Sequence, residues 1–239
     1  MRFLPLLFIL SSLVGNNQIP GTEQKRPILL RGGILHTVSG DILEGFDMLF
    51  AEGRIITIDE QIQASPETDI LEIYGKHVVP GYIAGYTRIG LTEISAVKQT
   101  NDHSEIGEIN PNVRANVAYN PDSDLIPVTR SNGILVVNST PASGRISGQS
   151  SVMALDGWTW EDATIKHPSG LNINWPNMYV DYSKKTKKND KAQRDLYNEK
   201  IRELNQLVRN VRAYHQRRNA RERKACLLYT SDAADECDS

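Results

Sequence analysis

The sequence predicts an α/β protein: a small β unit in the first third of the chain, then buried strands of the parallel type with loops and helix between them. Three observations carry that prediction. Between residues 27 and 79, short apolar runs are broken by Gly, Asp and Pro, the pattern of closely spaced strands. At 133–137, Gly-Ile-Leu-Val-Val is apolar almost without a break, as strands covered on both faces are. From about residue 190 to 220, Leu196, Tyr197, Ile201, Leu204, Leu207, Val208 and Val211 recur three or four residues apart, which lays an apolar stripe along a helix.

In chain order, Met1-Arg2 precedes an apolar run from 3 to 14 and a polar exit at Asn16, Asn17 and Gln18. Residues 1–15 therefore read as a secretory signal peptide, and the protein is expected to be periplasmic or secreted. The run is too short to span a bilayer as a helix. Strands are expected at 28–30, 34–38, 48–50, 54–58, 70–73 and 77–79, with a hairpin turn at Ala51-Glu52-Gly53, and closely spaced strands suggest an antiparallel unit. A buried strand is expected over 83–91. A loop-rich stretch follows from 92 to 127, punctuated by Asn110-Pro111 and Asn120-Pro121-Asp122. The strand at 133–137 leads into a Ser-, Gly- and Pro-rich loop at 139–149. Asn189 or Asp190 is a natural N-cap for the last helix.

Composition bounds the function. Apolar residues make up 39% and charged residues 23%, with a formal net charge of −2, ordinary values for a globular protein. Residues 184–224 hold fifteen Lys and Arg against five Asp and Glu. Without interleaved aromatics or a groove-reading motif, that stretch reads as a solvated helix face, and no nucleic acid is expected as a partner. Both cysteines, Cys226 and Cys237, fall in the last fourteen residues, so neither disulfides nor thiolate chemistry belong to the rest of the chain. From Cys226 to Glu236, Cys-Leu-Leu-Tyr-Thr-Ser-Asp-Ala-Ala-Asp-Glu looks like a translated library-preparation adapter. Residues 226–239 are expected to be a non-native, adapter-derived tail on an N-terminal fragment of a longer protein.

Three segments together carry a resemblance: Arg31-Gly-Gly-Ile-Leu-His-Thr-Val-Ser-Gly40, Phe50-Ala-Glu-Gly-Arg-Ile-Ile56 and Gly75-Lys-His-Val-Val-Pro-Gly-Tyr-Ile83. They resemble the amidohydrolase superfamily, and more closely its exported, imidazolonepropionase-related bacterial branch. Asn110-Pro-Asn-Val-Arg114, Tyr119-Asn-Pro-Asp-Ser123, Arg130-Ser-Asn-Gly-Ile134 and Leu155-Asp-Gly-Trp-Thr-Trp-Glu-Asp162 extend the likeness. The resemblance implies a small β-sandwich, here residues 27–79, beside a (β/α)8 TIM-like barrel begun by residues 80–225. A barrel takes about 250 residues, so both parts are expected to be incomplete. Open strand edges would then favour aggregation.

The resemblance also implies a hydrolase acting on non-peptide C–N bonds of amides or cyclic amides, with metal-activated water at the C-terminal ends of the barrel strands. The superfamily places His-x-His after Pro-Gly-x-Ile-Asp-x, since residues two apart on a strand face the same way and two imidazoles can then reach one zinc. This chain has Tyr86-Thr87-Arg88 there, and Ala84 in place of the acid. Arginine holds only donors and a permanent charge, so Tyr86 and Arg88 do not support a metal, and no cofactor is expected in the fragment. Candidate substrate-binding residues are Tyr86, Arg88, His103 and Gln149, with Arg88 holding a substrate carboxylate or pairing with Glu93. Ser147-Gly148-Gln149-Ser150 would form a loop lining the same mouth. A small molecule is the expected partner of the whole protein, either as substrate or as the ligand of a non-catalytic binding protein on the same fold. Trp158, Trp160 and Tyr179 could form a sugar-stacking platform, though packing of a loop is their commoner role. No membrane span is expected, and the oligomeric state stays open.

Overall fold

The computed structural model describes residues 20–182 and 189–235, with side chains through 220. The expected signal peptide lies outside the described residues. The fold is mixed α/β with two sheets and few helices.

The first sheet contains β1 (Ile28–His36), β2 (Ile42–Ala51), β3 (Arg54–Asp59), β4 (Asp69–Glu72) and β5 (His77–Val78). Its order is β3-β2-β1-β4, with β5 also pairing to β1. The Glu52-Gly53 turn joins β2 to β3, and both residues have positive φ, 51° and 71°. Such a two-residue turn matches the strand twist. The two runs expected at 28–30 and 34–38 are one strand, interrupted at Arg31–Gly33 by a register shift. Gly32 there has φ of 71°, a conformation glycine adopts freely.

The unit is not wholly antiparallel: β4 and β5 both run parallel to β1. Residues 60–68 carry the chain back across the sheet before it pairs on the free edge of β1. Asp47, 5% exposed, pins both the bulge and this crossover. Its carboxylate accepts from the Gly32 N–H at 2.9 Å and from the Ile62 N–H at 3.1 Å, with Arg31 Nε at 3.8 Å.

The second sheet has the order β6-β7-β8-β9, built from β6 (Tyr82–Thr87), β7 (Ile134–Ser139), β8 (Ile146–Ala154) and β9 (Thr164–Ile173). Helix α1 (Leu125–Ser131) lies in sequence between β6 and β7, and α2 (Trp160–Ala163) between β8 and β9. β6 and β7 are parallel, as the apolar run at 133–137 suggested. β7 to β8 and β8 to β9 are antiparallel. Three expectations change here. The strand predicted over 83–91 stops at Thr87, and Ile83 on it is 71% exposed. β7 is not covered along its whole length: Val137 is fully buried, whereas Leu135, two residues earlier on the same face, is exposed. The loop expected over 139–149 ends where β8 begins, at Ile146.

The core of this part is one cluster of Tyr119, Ile126, Val137, Met153, Leu155 and Ala163. It draws one side chain from α1, one from β7, one from β8 and one from α2, so hydrophobic burial fixes the register of the elements that carry the site. The Thr159 hydroxyl accepts the Asp162 N–H and caps α2.

Residues 175–239 form a separate unit. Helix α3 (Asp190–Asp235) fills most of it, and Asn189 caps it by accepting the Ala192 N–H at 2.9 Å. Of its apolar stripe, Leu204 is buried while Leu196, Val208 and Val211 are exposed. Among the described residues, no helix is long and apolar enough to cross a membrane.

Candidate functional site

The C-terminal ends of the two parallel strands bring together the loops that hold most of the candidate residues. Thr87 pairs with Ser139, and the Thr140 N–H donates to Thr87 O at 2.9 Å. The Ser139 hydroxyl donates to Ile89 O at 2.8 Å, fastening the turn after β6 to the end of β7. Arg88 sits in that turn, exposed. Further along the same loop, the Ala142 N–H donates to His103 O at 2.7 Å, so His103 is tied to the loop after β7. Its Nδ1 lies 2.8 Å from Thr92 Oγ1.

Arg88 and His103 feel one another. Burial, then the Arg88 charge, holds the His103 imidazole below the usual histidine range, against an opposing pull from Asp102. Among the described residues, neither the Arg88 guanidinium nor His103 Nε2 has a hydrogen-bond or ion-pair partner. Arg88 does not pair with Glu93. That carboxylate accepts from Asn120 Nδ2 at 3.2 Å and from the Ser123 hydroxyl at 2.8 Å. Glu93 also raises the buried Tyr119 phenol, whose upward shift comes mainly from burial. Tyr86, the penultimate residue of β6, is 67% exposed.

Gln149 is placed elsewhere. It belongs to β8 rather than to a loop, because the register with β9 pairs it with Leu171. Its N–H donates to Val113 O, its carbonyl accepts from the Ala115 N–H, and Nε2 donates to Pro111 O at 2.9 Å. None of these contacts involves Arg88 or His103. Trp158 and Tyr179 lie in different units, and Trp160 packs against the core cluster. Among the described residues, no group of three His, Cys, Asp or Glu side chains could hold a metal ion. A guanidinium holds only donors and a permanent charge, so Arg88 is not a ligand for a cation.

Two histidine clusters were not legible in the sequence. His36 Nε2 lies 2.8 Å from His77 Nδ1, linking β1 to β5. On the second sheet, Ser151 Oγ is 2.8 Å from His167 Nδ1, and Arg114 Nε donates to His167 Nε2 at 3.1 Å. Ser151 and His167 look like a nucleophile and its base, but proton counting rules that out. A guanidinium can only donate, so Nε2 must carry the lone pair. The single proton of the neutral ring is then on Nδ1 and points at Ser151, which is the acceptor. A general base needs the reverse direction. No spacing motif announces this cluster, because it depends on the irregular β8–β9 register.

No protein-family model matches the chain, and no curated protein matches it. Among solved structures, an amidohydrolase from Thermotoga maritima MSB8 is similar, with 26% identity and a TM-score of 0.59 over 63% of this chain and 39% of that one. A prolidase complexed with N-methylphosphonate-L-proline matches at 19% identity and TM-score 0.33, over 46% of this chain and 25% of that one. A second amidohydrolase matches at 26% identity and TM-score 0.26, over 28% of this chain and 16% of that one. The described fold is amidohydrolase-like, and the chain spans about two fifths of the length of that Thermotoga protein.

Proposed function

We propose that this chain is the N-terminal part of an exported amidohydrolase-like protein, periplasmic or secreted once residues 1–15 are removed. In this reading, residues 27–79 belong to a small β-sandwich, residues 80–225 begin a TIM-like barrel, and residues 226–239 are adapter-derived. The whole protein hydrolyses a non-peptide C–N bond, in an amide or cyclic amide, of a small molecule that carries a carboxylate. Arg88 receives that carboxylate, His103 supplies a second donor beside it, and Tyr86 lies next to both in sequence. The 239-residue chain alone is expected to be inactive.

One observation carries the reading of the site. An uncompensated guanidinium and an imidazole nitrogen without a partner stand at the C-terminal ends of adjacent parallel strands, where barrel enzymes hold substrate. The likeness to the Thermotoga amidohydrolase supports the class of reaction. A second reading, a binding protein that kept the fold without the chemistry, is favoured by Arg88 standing where a metal-binding imidazole is usual.

The test is hydrolysis of a panel of amides and lactams, with and without a carboxylate, by the protein of full natural length, with and without chelator. The catalytic reading expects turnover of carboxylate-bearing substrates and a KM at least about tenfold higher in Arg88→Gln, the order of one charged hydrogen bond. Binding of the same compounds without turnover under any metal condition selects the binding protein. No binding and no turnover overturns both.

A further inference from the structure

The β1–β5 pairing brings together two imidazoles that take no part in the site at the ends of β6 and β7. Ile34 pairs with His77 and Leu35 with Val78, in parallel, and the Ile34 N–H donates to Lys76 O at 2.9 Å. Side chains two residues apart on a strand share a face, so His36 stands on the face of Ile34, diagonal to His77. Leu35, on the opposite face, is 3% exposed and anchors this part of β1 in the sheet. Just after β1, the Thr37 hydroxyl donates to Asp41 O at 3.1 Å and accepts the Gly40 N–H at 3.0 Å. These bonds fix the strand positions from which both rings project.

The rings meet nitrogen to nitrogen. His36 Nε2 lies 2.8 Å from His77 Nδ1, and the ring centroids are 5.1 Å apart. Such a contact needs one N–H and one lone pair, so a single proton lies between the inner nitrogens. Among the described residues, the outer nitrogens, His36 Nδ1 and His77 Nε2, have no hydrogen-bond partner, and neither ring is in an ion pair. The ring that carries the inner proton can therefore hold it on its outer nitrogen instead, which leaves two inner lone pairs facing one another. Imidazole pairs of this kind suit the late first-row divalent cations.

The separation discriminates among those cations. Two nitrogens bound at about 2.0 Å with a right angle between them stand about 2.8 Å apart, as tetragonal Cu2+ or Ni2+ requires. A tetrahedral zinc sets its ligand nitrogens about 3.3 Å apart. Copper also heads the affinity order of the divalent series.

We propose that His36 and His77 form a surface site for a cupric ion, as its cis equatorial ligands, with water in the remaining positions. The ion takes the place of the proton between the rings. That proton passes through solvent to the outer nitrogen of the same ring, both imidazoles stay neutral, and no electron is transferred. The exposed ring tips turn by side-chain rotation until both lone pairs converge on the ion, while the strand pairing stays as it is. The ion clips the two-residue strand β5 to β1, just ahead of the link at 79–81 that leads into β6. No residue of the site around Arg88 takes part.

The test is titration of the dilute full chain with CuCl2 in a competing glycine buffer, followed by pulsed electron paramagnetic resonance, with Cys226 and Cys237 blocked by iodoacetamide. The expected result is one saturable tetragonal signal whose first equivalent carries two imidazole rings. His36→Asn and His77→Asn should each lose at least about tenfold in Cu2+ affinity, and zinc should bind the parent at least about tenfold more weakly than copper. Arg88→Gln, His103→Asn and His167→Asn should bind copper as the parent does. Fewer than two rings at the first equivalent, a count read on the parent chain alone, would overturn the proposal. So would unchanged affinity in either His36→Asn or His77→Asn, which would mean adventitious copper only. A loss in His103→Asn or His167→Asn as large as that in His36→Asn would place the copper elsewhere, and zinc bound as tightly as copper would remove the cis geometry; either result overturns the site.

Discussion

His103 and His167 meet the same physics in different surroundings. Each ring is partly withdrawn from water and faces an arginine that cannot release its proton, so the charged imidazolium is disfavoured. For both, burial is the larger cause, and Arg88 or Arg114 adds to it. The sign for stability follows directly. Below the ordinary value of 6.5 the unfolded chain takes up protons that the folded chain resists, so stability is fully present above about pH 6.5 and declines as pH falls. The urea midpoint is expected to be lower at pH 5.5 than at pH 7.5, and His103→Asn together with His167→Asn should flatten that dependence. An unchanged slope in the double variant would remove these two rings as the cause. That Arg88 adjoins the first strand of the second sheet was readable from the sequence, because its apolar run precedes it directly. Arg114 was not readable, because its neighbour His167 is 53 residues away.

At the scale of elements, two local devices hold the strands in place. Asp47 on β2 serves the bulge of β1 and the crossover at Ile62 with one carboxylate. Asp47→Ala leaves two N–H donors without their acceptor and is expected to cost roughly 2–4 kcal/mol of unfolding free energy by denaturant titration. Asp47→Asn retains one acceptor oxygen and should cost less. After β6, Gly90 has φ of 77°, and a Cβ there would stand 2.3 Å from the Tyr119 ring. Gly90→Ala should destabilise by about 1–3 kcal/mol through left-handed strain and a core collision. Gly85, within β6, has nothing within 4 Å of its Cβ position, and Gly85→Ala should leave the midpoint nearly unchanged. A matching loss at both positions would mean that β6 tolerates no side chain, rather than that Tyr119 fixes the turn. A hairpin turn at Ala51-Glu52-Gly53 was legible in the sequence, and the structure narrows it to Glu52-Gly53. The Asp47 bond to Gly32 was not, because an aspartate inside a strand reads as a solvent-facing residue until its partner is placed.

At the scale of the whole molecule, the described chain leaves much apolar surface uncovered. Ile55, Ile56 and Ile58 on β3, Ile70 and Leu71 on β4, and Tyr82 and Ile83 on β6 are all exposed. Where such side chains adjoin, they mark interaction surfaces or aggregation liabilities. The chain is expected to bind a hydrophobic dye such as ANS strongly, and Ile55→Ser with Ile58→Ser should lower the fluorescence measurably. Dye binding no higher than that of an ordinary folded monomer would contradict this account of the surface.

What the sequence determined by itself was the local grammar: a strand-rich first third, a parallel pair whose second member is the run at 133–137, and a last helix capped at Asn189 or Asp190. These follow from periodicity, turn chemistry and donor inventories, all of which act within a few residues. Tertiary structure decided the parallel pairing of β4 and β5, the strand identity of Gln149, and the meeting of Arg88 with His103 and of Arg114 with His167. Each depends on contacts between residues distant in the chain, where burial of a shared core, rather than local preference, sets which side chains become neighbours.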